Sequence, residues 1–201
     1  MRAVFLDRDG VICENRPDHV KSWAEFRFLP SALSALRRLA DMPFPIIVVT
    51  NQAIVHRGMV PADVVDEIHT RMIQHVHRFG GRLDAVYYCP HRPEEGCFCR
   101  KPKPGLLLQA ARDLGIQLEG SYLIGDALTD VEAALAAGCQ PLLVRTGRGA
   151  LHAELVLQRY PGVPILRDLL EAALWILRCE ALIPIHRPPR MRDVPLAAPL
   201  G

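Results

Sequence analysis

Short apolar segments alternate with helical patterns along most of this chain. Five segments are nearly continuous in Val, Ile, Leu or Tyr, at residues 3–6, 45–50, 85–89, 121–125 and 141–145. A segment that is apolar at every position is typical of a parallel strand, because such a strand is buried on both faces. The alternating order predicts an α/β fold, a doubly wound, Rossmann-like parallel sheet with helices on both faces.

Helical periodicity predicts a helix in most of the intervals between these strands and one more after the last strand. Gly115 and Gly138 follow two of them, and glycine commonly ends a helix in the left-handed conformation. The longest helix carries His69, His75 and His77 at spacings that suggest a polar, solvent-facing side. The predicted helices cover residues 31–41, 61–79, 104–114, 129–137 and 167–180.

The character of the chain changes after the last predicted strand. We expect a catalytic domain over 1–149, a C-terminal helical extension over 150–182 and a proline-rich tail over 183–201. The tail holds five of the 17 prolines of the chain, so we expect it to be irregular, partly disordered or packed on another subunit. The intervals between the first three strands are too short for a large inserted cap domain.

Composition narrows the classes of partner. The formal net charge of +2 gives no sign of a nucleic-acid or membrane surface. No apolar run approaches the ~20 residues that a membrane span needs, and the N-terminus lacks a signal-peptide pattern. We therefore expect a cytoplasmic protein that binds neither nucleic acid nor a membrane. We also expect a monomer or a small homo-oligomer.

Polar side chains follow several predicted strands at the point where each strand ends. Asp7 and Asp9 follow the first strand, Thr50-Asn51-Gln52 ends the second, and Asp126 follows the fourth with Asp130 one turn later. Lys101 lies at the entrance to the helix predicted over 104–114. The carboxyl ends of parallel strands meet at one edge of a sheet, where ligands bind. Carboxylates suit Mg²⁺, and hydroxyl, amide and ammonium groups suit phosphate oxygens. The set therefore predicts phosphate chemistry at this edge.

The run Asp7-Arg8-Asp9-Gly10 has two interpretations when it is taken alone. Aspartate favours turns and helix caps, so the run is compatible with a simple turn. Two close carboxylates also repel each other, and burial penalises both. A bound cation, or a nucleophilic or acid–base role, offsets that penalty. The other strand-end residues favour the second interpretation.

Four candidate metal ligands cluster between residues 89 and 99. Cys89, His91, Cys97 and Cys99 form a set of three thiolates and one imidazole, which is typical of a closed structural zinc site. A reduced, metal-free cluster is the alternative. The cluster leads directly into the segment 100–104, so a zinc-stabilised loop would position Arg100 and Lys101.

These motifs together resemble the haloacid dehalogenase superfamily of phosphatases, and within it the heptose 1,7-bisphosphate phosphatases and their histidinol-phosphatase relatives. The resemblance covers about residues 2–149. One departure lies after the second strand, where Ala53-Ile54 stands in place of the Ser-Gly that is usual in the family. The motifs that carry the resemblance are Leu6-Asp7-Arg8-Asp9-Gly10-Val11-Ile12, Thr50-Asn51-Gln52, Arg57-Gly58, Cys89-Pro90-His91, Cys97-Phe98-Cys99-Arg100-Lys101-Pro102, Gly125-Asp126-Ala127-Leu128-Thr129-Asp130 and Val144-Arg145-Thr146-Gly147.

The resemblance implies a role for each central residue. Asp7 would be the nucleophile that forms an aspartyl-phosphate, and Asp9 would protonate the leaving alcohol and later activate water. Thr50 and Lys101 would hold the transferring phosphoryl group, with Lys103 the less favoured choice for that lysine. Mg²⁺ would bind Asp7, Asp126 and the backbone carbonyl of Asp9.

The resemblance also implies a substrate. Asn51, Gln52, Arg57 and Arg100 would bind it, and the two arginines favour a second phosphate. The expected reaction removes the C7 phosphate of D-glycero-D-manno-heptose 1,7-bisphosphate. Histidinol phosphate or another small phosphorylated sugar is the alternative substrate, and a non-catalytic zinc-containing binding module is the alternative of another class.

Overall fold

The computed structural model describes residues 1–180, and the predicted tail over 183–201 lies outside the described residues. Six strands form one sheet in the order β3-β2-β1-β4-β5-β6, and every neighbouring pair is parallel. The predicted α/β class and parallel sheet are confirmed. The strands are β1 Val4–Leu6, β2 Ile46–Asn51, β3 Ala85–Cys89, β4 Tyr122–Gly125, β5 Gln140–Val144 and β6 Ile165–Leu166.

Helices cover both faces of the sheet, as the pattern predicted. The apolar sides of α1, α2 and α6 pack in one core cluster, and those of α3 and α4 pack in a second cluster on the opposite face. Within residues 1–180, no helix combines the length and the apolar character needed to cross a bilayer. The helices are α1 Ala32–Leu39, α2 Ala62–Arg78, α3 Gly105–Leu114, α4 Leu128–Ala137, α5 Gly149–Arg159 and α6 Leu169–Cys179.

Two elements, β6 and α5, were not predicted from the sequence. The strand β6 pairs with β5. It has only two residues, too few to show any periodicity. The helix α5 packs on the sheet through Ala153 and Val156, but Leu151 is 83% exposed, so its apolar residues do not follow one stripe. The strand β6 extends the sheet with residues beyond 149, and the chain forms α5 before it and α6 after it. The predicted boundary at residue 149 between a domain and an extension stays a prediction.

The order of the strands reverses beside β1. The chain runs outward from β1 to β2 and β3, then returns to the other side of β1 for β4. Such a reversal opens a crevice at the carboxyl ends of the two central strands. Between β1 and β2 the described chain forms a 3₁₀ turn at Trp23–Glu25 and α1, with no inserted cap domain, so the crevice is left open above.

Candidate active site

A cleft lies at the carboxyl edge of the sheet, over the point where the strand order reverses. Its volume is about 510 Å³, which is in the range of small-molecule sites. Gln52 is the one residue of the predicted catalytic and substrate-binding set that does not line it. The predicted residues that do line the cleft are Asp7, Asp9, Thr50, Asn51, Arg57, Arg100, Lys101 and Asp126.

Lys101 lies buried at the bottom of the cleft between two carboxylates. Its Nζ is 3.0 Å from Oδ1 of Asp7 and 2.6 Å from Oδ1 of Asp130, and it donates to the carbonyl of Val49 at 2.9 Å. Burial acts to lower the pKa of Lys101, but the two carboxylates outweigh it and raise that pKa above its ordinary value. The ammonium group is therefore charged at neutral pH.

Asp130 was expected at this edge of the sheet, but no role was predicted for it. Its second carboxylate oxygen accepts a hydrogen bond from the backbone N–H of Ala127 at 3.0 Å, which fixes the side chain at the start of α4. The sequence signal for its place is the spacing from Asp126. Asp130 lies four residues later, in the first turn of α4, so its side chain can return to the same edge of the sheet. Asp130 supplies the counter-charge that holds Lys101.

Three carboxylates form a group that could hold a cation. Oxygen atoms of Asp7, Asp126 and Asp130 all lie within 4.8 Å of one another. Burial raises the pKa of Asp126, and the charges of Asp7 and Asp130 raise it further. A divalent cation would reverse this effect by favouring the ionised carboxylates. The donor set therefore fits Mg²⁺, which prefers carboxylates, waters and phosphate.

Two glycines let the backbone approach Asp126. A Cβ atom at Gly10 would lie 2.0 Å from Oδ2 of Asp126, and one at Gly147 would lie 2.2 Å from it. Both glycines also have positive φ angles, +86° and +56°, which other residues rarely adopt. The same carboxylate oxygen accepts a hydrogen bond from the backbone N–H of Arg148 at 2.8 Å. The turns after β1 and β5 thus fix Asp126 opposite Asp7.

The end of β2 supplies three side chains with different surroundings. The Asn51 amide donates to the carbonyl of Lys101 and accepts from its N–H, both at 3.1 Å, so it holds the backbone of that residue. Thr50 is buried and lines the cleft. Gln52 is 2% exposed and donates to Oδ2 of Asp9 at 2.7 Å and to the Thr50 hydroxyl at 3.0 Å. Its amide lies behind the cleft rather than in it.

Asp9 lies at the wall of the cleft against a buried arginine. The Nη2 atom of Arg8 is 3.0 Å from both carboxylate oxygens of Asp9, and Arg8 itself is 1% exposed. Burial acts to raise the pKa of Asp9, but the charge of Arg8 and the hydrogen bonds from Arg8 and Gln52 lower it below the ordinary value. Asp9 and Asp7 therefore lie in unlike environments, because burial raises the pKa of Asp7 despite the opposing charge of Lys101.

The mouth of the cleft is rich in cations. Arg57 and Arg100, both predicted to bind substrate, line it. Arg16 and Arg148 line it as well, together with His19, whose pKa is lowered by burial and by the charge of Arg57. Arg100 donates to the carbonyl of His91 at 3.1 Å, which joins it to the Cys-rich loop. The last three residues were not predicted, and only Arg148 follows a motif that the sequence analysis used. Such a mouth suits a ligand that carries more than one negative charge.

The Cys-rich loop brings its four side chains together. The three sulfur atoms lie 3.2–3.5 Å apart, and Nδ1 of His91 is 3.5 Å from the Cys89 sulfur and 3.2 Å from the Cys99 sulfur. Four ligands around Zn²⁺ at about 2.3 Å would place the sulfur atoms roughly 3.8 Å apart. The cluster of Cys89, His91, Cys97 and Cys99 therefore has the donors and the spacing for zinc.

The chain is similar to known proteins over most of its length. Residues 98–172 match the HAD-hydrolase-like family model. A D-glycero-beta-D-manno-heptose-1,7-bisphosphate 7-phosphatase from Pseudomonas aeruginosa is 42% identical over 146 residues, which are 73% of this chain and 82% of that protein. The chain belongs to the heptose-bisphosphate phosphatase family of haloacid dehalogenase-like hydrolases.

Two further relatives cover more of the chain. The Escherichia coli member of the heptose-bisphosphate phosphatase family is 36% identical over 192 residues, 90% of this chain and 91% of that protein. A crystal structure of the D,D-heptose 1,7-bisphosphate phosphatase from B. bronchiseptica, complexed with magnesium and phosphate, superposes with a TM-score of 0.81 at 37% identity. That match covers 89% of this chain and 99% of the other.

Membership of the heptose-bisphosphate phosphatase family makes the chain a phosphatase, so the alternative of a non-catalytic zinc module does not hold. Lys101 and Lys103 were the two candidates for the lysine that holds the phosphoryl group, and they lie in different places in the structure. Nζ of Lys103 donates to the carbonyl of Gly96 at 2.6 Å on the surface, whereas Nζ of Lys101 lies beside Asp7.

Proposed function

We propose that this phosphatase removes the C7 phosphate of D-glycero-D-manno-heptose 1,7-bisphosphate through an aspartyl-phosphate on Asp7. The observation that carries the proposal is the position of Asp7 at the strand reversal, with Lys101 at 3.0 Å and a cation-rich cleft above it. The names of its family relatives support the choice of substrate.

The first half of the reaction transfers the phosphoryl group to Asp7. A carboxylate oxygen of Asp7 forms a bond to phosphorus while the bond from phosphorus to the ester oxygen breaks. Lys101 and Thr50 line the cleft beside Asp7 and would stabilise the charge on the phosphoryl oxygens. Asn51 would keep Lys101 in place through its two backbone hydrogen bonds.

Asp9 would move one proton in each half of the reaction. In the first half, Asp9 would give a proton to the oxygen of the leaving alcohol. The negative charges of the bound phosphate ester would raise the pKa of Asp9 against the lowering by Arg8, so that it can carry this proton. In the second half, the Asp9 carboxylate takes a proton from a water molecule, which attacks phosphorus and releases inorganic phosphate from Asp7. Both groups return to their starting states, so the net reaction converts one phosphate ester and one water molecule into the alcohol and inorganic phosphate.

We propose two metal ions with different tasks. Mg²⁺ would be held by Asp7, Asp126 and the backbone carbonyl of Asp9, where it would offset the negative charge of the phosphoryl group. Zn²⁺ would be held by Cys89, His91, Cys97 and Cys99, where it would fix the loop that ends in Arg100 and Lys101. Asp7 and Asp126 belong to the carboxylate group described above, whose third member, Asp130, binds Lys101. The four side chains of the Cys-rich loop supply the donors for zinc.

The cations at the mouth support a substrate with two phosphates. Arg57 and Arg100 would bind the phosphate that is not hydrolysed, because a second anion rewards a second set of cations. Gln52 was predicted to bind substrate, and its buried position behind Asp9 supports an internal role. We also propose a cytoplasmic location and a monomer or small homo-oligomer.

A comparison of substrates tests the proposal. The purified protein with Mg²⁺ should release phosphate from heptose 1,7-bisphosphate with a higher kcat/KM than from histidinol phosphate, and ³¹P NMR should show loss of the C7 phosphorus. Asp7→Asn should keep the fold, seen by circular dichroism, and lose turnover. Equal or faster turnover of histidinol phosphate would overturn the choice of substrate, and full activity of Asp7→Asn would overturn the mechanism.

A further inference from the structure

A buried histidine lies behind the active site on the apolar side of α2. His69 is 5% exposed and shares the buried side of the helix with Val65, Ile68, Met72 and Val76. The predicted polar, solvent-facing side of this helix therefore does not include His69. A polar ring among apolar neighbours is costly unless it has a hydrogen-bond partner. The partner is Arg8.

His69 accepts a hydrogen bond from Arg8 through a defined ring nitrogen. Its Nε2 atom is 3.0 Å from Nη1 of Arg8, and because a guanidinium can only donate, Nε2 carries no proton. Burial lowers the pKa of His69 to about 3, and the charge of Arg8 acts in the same direction. The ring is therefore neutral and protonated on Nδ1, which is the form that can accept from Arg8.

Arg8 connects this histidine to Asp9. While Nη1 of Arg8 faces His69, its Nη2 lies 3.0 Å from both Asp9 oxygens and 2.9 Å from Oε1 of Gln52. Gln52 completes the network by donating to Oδ2 of Asp9 at 2.7 Å. The planar guanidinium cannot rotate without losing several of these bonds. His69, Arg8, Gln52 and Asp9 thus form one network, and His69 is its end farthest from the cleft.

We propose that His69 is a positioning residue for proton transfer: it holds Arg8, and Arg8 with Gln52 holds the Asp9 carboxyl where it can reach the oxygen of the leaving alcohol. The inference rests on the proposed role of Asp9. Neither His69 nor Gln52 lines the cleft. His69 would act on the reaction only through Arg8 and Asp9, whereas Gln52 also donates to Thr50.

The dependence of the rate on the leaving group separates positioning from mere structure. An alkoxide leaving group needs a proton, whereas p-nitrophenolate leaves without one. His69→Leu should lower kcat/KM for heptose bisphosphate by roughly 10- to 100-fold, the order of loss that a small misplacement of a catalytic group causes. The same variant should lower kcat/KM for p-nitrophenyl phosphate by less than about threefold, because that transfer does not depend on a proton from Asp9.

Two further variants complete the test. His69→Gln keeps an acceptor for Arg8 and should recover most of the lost activity. His75→Leu makes the same change on the same helix, where the ring of His75 stacks on Phe28 and has no contact with Arg8, and it should behave like wild type. Thermal unfolding of each variant shows whether it is folded.

The outcomes distinguish this inference from the proposed function. An equal loss on both substrates in folded His69→Leu, or no recovery in His69→Gln, would overturn the positioning role alone. A wild-type protein that hydrolyses neither substrate would overturn the proposed function as well. If His69→Leu does not fold, Gln52→Met removes the opposite side of the network. Because Gln52 also donates to Thr50, both substrates should then react more slowly, and the loss of kcat/KM on heptose bisphosphate should exceed that on p-nitrophenyl phosphate by at least about threefold. Equal losses in that variant would overturn the positioning role.

Discussion

Nζ of Lys101 lies 3.0 Å from Oδ1 of Asp7, in a position that only the fold can create. Asp7 follows the central strand β1, and Lys101 follows the Cys-rich loop after β3. Asp130 holds the same ammonium group from the start of α4. One buried cation thus joins three separate parts of the chain at the bottom of the cleft.

Replacing this lysine should reduce both stability and activity. Lys101→Met leaves Asp7 and Asp130 as buried carboxylates without a counter-charge, which should lower the free energy of unfolding by about 3–5 kcal/mol. Turnover should fall strongly, because the phosphoryl group loses a cation. Urea unfolding and phosphate release measure the two effects.

Lys103→Met is the matched control for this change, because its Nζ lies on the loop surface against Gly96. It should keep the stability and the turnover of wild type. The double variant Lys101→Met/Asp130→Asn should recover part of the stability but none of the activity. Equal effects of the two single lysine variants would contradict the assignment of Lys101.

Removal of zinc should destabilise the protein. A metal present at 100 times its Kd stabilises the fold by about 2.7 kcal/mol, which corresponds to a shift in Tm of roughly 5–10 °C for a chain of this size. Cys97→Ser or a strong chelator should therefore lower Tm, and turnover should fall with it because the loop places Arg100 and Lys101. Elemental analysis should find one zinc per chain in wild type.

The matched control for the zinc prediction is Cys179→Ser, because Cys179 is an exposed cysteine on α6. It should keep the metal and the Tm. A wild-type protein that is purified without zinc, and whose Tm neither the chelator nor Cys97→Ser lowers, would contradict the zinc site.

Stability should fall in acid partly because of His69. Its pKa in the folded protein is about 3, below the ordinary value of about 6.5 in an unfolded chain. Between these values the unfolded state binds the proton and the folded state does not, so stability rises with pH. The contribution is complete above about pH 6.5 and is lost as the pH falls toward 3.

Urea unfolding at several pH values from neutral to acid measures this effect. Wild type should lose more stability across the window than His69→Gln, which has no group that titrates there. His75→Gln removes a half-buried histidine from the same helix and should follow the wild-type curve. Parallel curves for wild type and His69→Gln would show that His69 does not contribute.

The arginines at the mouth should determine the preference for a bisphosphate. A hydrogen bond to a charged group contributes about 1.5–3 kcal/mol, so Arg57→Ala or Arg100→Ala should lower kcat/KM for the bisphosphate by roughly 10- to 100-fold, mainly through KM. The change for a heptose 7-phosphate without the second phosphate should be small. An equal loss on both substrates would assign these arginines to the reacting phosphate instead.

Five strands could be predicted because their residues carry the signal themselves. In Ile46–Asn51 the first five residues are buried, and four of them are Ile or Val in an unbroken run before Thr50. The two residues of Ile165–Leu166 are only half-buried at the sheet edge, and pairing with β5 alone makes them a strand. Short edge elements depend on their neighbours, which a local pattern does not contain.

The central residues of the site could also be located from the sequence, because parallel strands bring their carboxyl ends to one edge. That rule placed Asp7, Asp9, Thr50 and Asp126 together before any contact was known. It could not show that Gln52 lies behind Asp9 rather than in the cleft. A side chain at the end of a strand can turn into the cleft or away from it. Packing against its neighbours decides between the two, and the local sequence does not contain those neighbours.

The sequence by itself determined the fold class and the type of chemistry, because the alternation of strands and helices and the residues at the strand ends can be read directly from it. The tertiary structure decided which groups hold the reacting ones in place. Asp130 meets Lys101, and His69 meets Arg8, across distances in the chain that no local pattern can span. Their burial then sets the charge states of these pairs, because desolvation and neighbouring charges act only once the chain is folded.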